Sequence, residues 1–142
     1  MTHKIACGRV IEIVRVFRNA WFRKFARKEK ISDTALCEAV ARAEAGLIDT
    51  DLGGGLFKQR VARPGAGTSR GYRTLIFFRV DTRAVFAFGF AKNDRANLNE
   101  DEEAAFKKAA KLVLAFSDEQ IEAEIESGRL TEVKCDGEDI QK

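Results

Sequence analysis

Three strand-like runs separated by short connections constrain this chain more than any other feature. Leu56 to Ala62, Tyr72 to Val80 and Ala84 to Ala91 are rich in β-branched and aromatic residues. Pro64-Gly65-Ala66-Gly67-Thr68-Ser69 joins the first pair, and Asp81-Thr82-Arg83 joins the second. Parallel neighbours need a crossover of a dozen or more residues, so connections this short imply an antiparallel meander.

The segments on either side read as mostly helical. Ile11 to Phe17 has the β-branched character of a strand. Asn19 can cap a helix running through Lys28, with Trp21, Phe22, Phe25 and Ala26 at helical spacing. Ser32 can cap a second helix, whose apolar stripe is Ala35, Leu36, Ala39, Val40 and Ala43, and Gly46 sits where it should stop. After the strands, Asn99 with Glu102 and Ser117 with Gln120 each form a capping-box signature. Phe106, Leu112, Val113 and Phe116 are expected along the apolar side of the first of these helices, and Leu130 to Val133 as a short final strand. The expected class is α+β: an N-terminal strand and helical hairpin packed on an antiparallel sheet, followed by C-terminal helices.

A chain of 142 residues is one domain's worth and can bury about 68–70% of its unfolded surface. No repeat or linker divides it. Residues 1–10 are expected as a flexible N-terminal extension, and residues 11–142 as a single domain with an acidic helical C-terminal part. The sequence has no apolar run near the ~20 residues of a spanning helix and no signal-peptide layout, so a cytoplasmic protein without membrane contact is expected. Cys7, Cys37 and Cys135 are far apart and not at metal-ligand spacing; they read as reduced thiols. The only histidine is His3. Histidine catalysis and most zinc sites are disfavoured, and no metal or cofactor is expected.

Charge is distributed very unevenly. Residues 56–95 hold nine basic groups against two acidic ones, whereas residues 96–142 hold six basic and thirteen acidic. A concentrated positive segment is the footprint of a polyanion partner. Lys58 and Arg60 fall on one face of their strand, and Arg73 and Arg79 on one face of the next, because strand side chains alternate. Arg63 and Arg70 flank the intervening loop, and Lys92 and Arg95 follow the third strand. Each of these could simply belong to a solvated face. As a cluster they fit phosphate binding better, since like charges across strands repel. The interleaved phenylalanines read as core, while Tyr72 could serve either the core or base stacking.

Other features read as structural. Gly53-Gly54-Gly55 lacks the phosphate-loop spacings and precedes a strand, so it reads as a turn. Asp49 and Asp51 have no third carboxylate nearby and suit turn or capping roles. The acidic C-terminal part is either a solvated face or a shield over the basic sheet.

Four segments carry a resemblance to a known family. They are Trp21-Phe22-Arg23-Lys24-Phe25-Ala26-Arg27-Lys28, Gly46 to Gly55 (GLIDTDLGGG), Lys58 to Arg63 (KQRVAR), and Gly71-Tyr72-Arg73-Thr74 with Gly89 to Arg95 (GFAKNDR). On these the chain resembles the RelE/ParE toxins of type II toxin–antitoxin systems, in a RelE-like or HigB-like branch, over about residues 14–116. The resemblance implies the RelE-like microbial RNase fold and a ribosome-dependent, metal-independent endoribonuclease, an mRNA interferase that inhibits translation. In such enzymes the 2′-hydroxyl attacks the adjacent phosphate.

By position, the resemblance assigns catalytic roles to Arg73, Lys58, Arg60 and Lys92. Arg95 matches the family's basic cluster after the last strand, and the charge and aromatic pattern adds Arg63, Arg70, Tyr72 and Arg79 as candidate RNA contacts. The resemblance also implies an antitoxin, often of helix-turn-helix type, with ribosome and mRNA as further partners. Asn93 stands where some members carry a catalytic arginine, and Asn99 about where some carry a stacking tyrosine. Two alternatives therefore accompany the nuclease reading: a ParE-like toxin that binds DNA gyrase, and a catalytically degenerate RNA-binding protein.

Overall fold

The computed structural model describes residues 3–6, 9–12, 14–63, 67–80, 82–91 and 98–135, with the backbone alone at 3–6, 9–12 and 67–70. Two strands at the start, β1 (His3–Ala6) and β2 (Arg9–Glu12), pair antiparallel as a separate two-stranded sheet. The strand expected over Ile11 to Phe17 is split, with β2 ending at Glu12 and β3 spanning Arg15–Asn19. Then come α1 (Ala20–Glu29), α2 (Asp33–Glu44), β4 (Thr50–Gly53), β5 (Leu56–Arg63), β6 (Gly67–Arg79), β7 (Arg83–Ala91), α3 (Glu100–Leu114), α4 (Asp118–Glu126) and β8 (Leu130–Val133).

The main sheet has the order β4-β5-β6-β7-β3-β8. The β5–β6–β7 meander is antiparallel, as the short connections dictate. Beside it, β3 lies parallel to β7, while β8 closes antiparallel on β3. The class is α+β. Alternation along the strands sends side chains to two cores. Val16, Ile76 and Phe86 pack with Phe22, Leu36 and Val40 of the α1–α2 hairpin. Phe17, Leu75 and Val85 pack with Ala110 and Leu114 of α3 and Ile121 of α4. Each face of the sheet thus has its own helical layer.

Local signals account for the helix ends. Asn19 and Ser32 accept hydrogen bonds from the N–H groups of Phe22 and Ala35. Both expected capping boxes form, at Asn99/Glu102 and Ser117/Gln120. Leu112 departs from expectation: it is 63% exposed, and Ala110 and Leu114 are the buried residues of α3. The glycine turn is structural. Gly55 has φ +87°, and a Cβ there would lie 2.6 Å from Leu114 Cδ1, so only glycine lets α3 settle onto the β4–β5 turn.

The cysteine expectation is corrected. Cys37 of α2 and Cys135, just after β8, form a disulfide with Cα atoms 5.7 Å apart across 98 residues of sequence. Folding brings together two thiols that their spacing kept apart. Cys7 lies outside the described residues.

Candidate functional site

The register of the meander builds a basic end to the sheet. Arg60 of β5 is the cross-strand partner of Arg73 of β6, and Arg73 is in turn opposite Phe90 of β7. One row further in, Lys58 faces Leu75, which faces Phe88. Leu75 and Phe88 belong to the α3-side core, so by alternation Lys58, Arg60 and Arg73 share that side. All three basic residues are half-buried rather than fully solvated.

Two guanidinium groups directly across strands repel, a pairing that is destabilising unless a counter-charge answers it. Asp49 answers for Arg60. Its carboxylate accepts from the Arg60 backbone N–H at 2.7 Å and from Arg60 Nη2 at 3.2 Å. Burial pushes the Asp49 carboxyl up, but these hydrogen bonds and the charges of Arg60 and Arg42 outweigh it, holding the carboxyl below its ordinary value. The Arg42 guanidinium also donates to the Arg60 carbonyl. Arg73 has no such answer: among the described residues no hydrogen bond or ion pair holds its guanidinium. An anchored cation beside an unengaged one suits an incoming phosphate.

The remaining candidates divide. Arg79 shares the face of Arg73 but sits at the other end of β6, six residues or about 20 Å away, paired with Arg83. Tyr72 is 2% exposed and packs with the α1–α2 core, on the face away from Arg73. Its hydroxyl donates to Glu29 Oε1 at 2.9 Å; burial and this bond raise its pKa above the ordinary tyrosine value. Arg63 lies over the Tyr72 ring at 5.2 Å, apart from Lys58 and Arg60. The chain leaves β7 at Ala91, opposite Tyr72. Lys92 and Arg95, and the side chain of Arg70, lie outside the described residues.

By sequence Arg83 falls in the hairpin connection and its charge is counted there; the structure makes it the first residue of β7. It is 7% exposed and donates from Nη1 to the carbonyls of Val113 and Phe116, so it closes the C-terminal end of α3. Asp51 holds the expected turn, its Oδ1 accepting from Gly53 N–H at 2.9 Å, while the Asp49 carboxylate instead anchors Arg60. Among the described residues no three histidine, cysteine or carboxylate side chains stand where they could share a metal ion. None of the described helices is long and apolar enough to cross a membrane.

Comparison with known proteins agrees with the architecture. No curated protein matches the chain. The family model described as the RelE toxin of the RelE/RelB toxin–antitoxin system matches residues 14–133, from just before β3 to the last residue of β8. That match implies an antitoxin as a partner. It covers every element of the main sheet and all four helices, and the chain belongs to the RelE toxin family.

Proposed function

We propose that this toxin is a ribosome-dependent endoribonuclease that cleaves mRNA without a metal ion, and that its reaction centre is the Lys58–Arg60–Arg73 end of the sheet. The observation that carries this reading is the cross-strand pairing of Arg60 with Arg73, of which, among the described residues, only Arg60 has an internal counter-charge. In the reaction the RNA 2′-oxygen attacks the adjacent phosphorus and the 5′-oxygen leaves. The products are a 2′,3′-cyclic phosphate and a 5′-hydroxyl. Arg73 stabilises the negative charge that builds on the phosphoryl oxygens, with Arg60 behind it. Lys58, one row along the same face, assists proton transfer together with Lys92. Arg63, Arg70, Arg79 and Arg95 supply more distant phosphate contacts. The antitoxin, in this reading of helix-turn-helix type, would cover this basic end.

The test is induction of the wild type and of Arg73→Ala in a bacterial host, with mapping of mRNA 5′ ends. New ends within translated codons are expected for the wild type. Arg73→Ala is expected to lose ~10²–10³ in cleavage rate, as when one transition-state donor is removed, with its circular dichroism unchanged. Fully retained cleavage in the variant refutes the role of Arg73. A DNA-damage response without mRNA cuts would mark a gyrase-directed toxin instead.

A further inference from the structure

The chain has a single tryptophan, Trp21, in the first turn of α1. Its indole is 4.4 Å from the Phe88 ring and stacked on Phe25 at 5.3 Å, yet the residue remains 44% exposed. A large aromatic side chain held rigidly by two rings but left open to solvent is a platform with an unused surface.

Its place in the fold gives that surface a partner. Strand β3 pairs with β7 only over Arg83 to Phe86, so β7 runs on past it to Ala91. Helix α1 takes the place of a strand there. Asn19 Nδ2 donates to the Ala87 carbonyl, and Gly89 lacks a Cβ that would meet Phe25 at 2.7 Å. Trp21 is thereby brought against Phe88, which is one strand spacing (~4.8 Å) and two residues (~6.6 Å) from Arg73. Charge points the same way. Lys24 and Lys28 follow Trp21 at helical spacing on one stripe of α1, and with Arg27 they are exposed. Glu29 is the helix's only acidic residue, and the Tyr72 hydroxyl engages it.

Resting on the RNA-cleaving reading above, we infer that Trp21 stacks on a base of the bound RNA strand while Lys24 and Lys28 hold neighbouring phosphates. The stripe on α1 continues the reaction centre and sets how the strand lies across Arg73. Stacking on an aromatic tolerates any base, so the contribution is to binding and alignment rather than to sequence choice.

The single tryptophan makes the test direct. A fluorophore-labelled single-stranded RNA with 2′-O-methyl groups, which cannot be cleaved, is titrated with the full chain at low salt. Binding is read by anisotropy and Trp21 by its own emission. Saturable quenching with the same midpoint as the anisotropy is expected. Trp21→Ala should weaken binding about five- to a hundredfold, and Trp21→Phe should restore most of it. Lys24→Gln, at an exposed position, should lower the salt slope by about 0.7. RNA binding without quenching, and equal affinity in Trp21→Ala and Lys24→Gln, would overturn the inference. So would an absence of oligonucleotide binding, or quenching produced only by the antitoxin. Cleavage on programmed ribosomes reports separately on the nuclease reading, so the two can fail independently.

Discussion

Residues that matter most here are the ones whose charge is answered or left open. Asp49 is the clearest case for pH. Its carboxyl is held below the ordinary value in the folded chain, so its ionised form contributes stability above about pH 3.8. That contribution is lost as pH falls through the lower folded value. Asp49→Asn should therefore unfold at lower urea than the wild type at pH 7, and the two midpoints should converge as the pH falls through that lowered value. A constant gap across that range would show that the carboxylate's charge is not what Arg60 uses. The sequence showed that Arg60 and Arg73 were basic and on strands. Which of them had a counter-charge depended on Asp49 reaching across from just before β4, and no spacing rule carries that. Tyr72 and Trp21 show the same limit. Both are aromatics beside positive charge, and only packing decided that the tyrosine is buried against Glu29 while the indole stays open.

Elements were legible where their signals are local. The caps at Asn19, Ser32, Asn99 and Ser117 involve side chains three residues from the N–H they bind, so they can be read directly. The meander was legible because its connections are too short for any other pairing. Strand β4 was not: it has four residues, the last of them a glycine, and it exists because β5 offers it a partner. Nor was the bond between α2 and the chain after β8. The Cys37–Cys135 disulfide closes a loop of nearly a hundred residues, for which the chain-entropy argument gives up to about 4.7 kcal/mol and typical bridges give 2–4. Reductant is expected to lower the melting midpoint of the wild type by several degrees, and Cys37→Ser should melt at the lower value with or without it. Identical melts for oxidised and reduced wild type would show that the bridge adds nothing to the fold.

At the scale of the whole molecule, a strongly positive segment is built into the centre of the sheet while the acidic segment supplies α3 and α4, which cover one face of it. The charge count forecast that contrast but not its arrangement, because β3 enters the sheet parallel to β7 and neither β3 nor β8 belongs to the meander. The pairing of Val16 with Val133 has a temporal consequence. Contacts this far apart in sequence fold slowly, and β3, made early, has no outer neighbour until residues 130–133 have been synthesised. A chain stopped before Leu130 should expose the edge of β3 and self-associate, detectable by light scattering; a monodisperse, cooperatively melting truncation would contradict this. A growing chain of this toxin thus carries an open β3 edge from the moment that strand is made until residues 130–133 have left the ribosome to close the sheet.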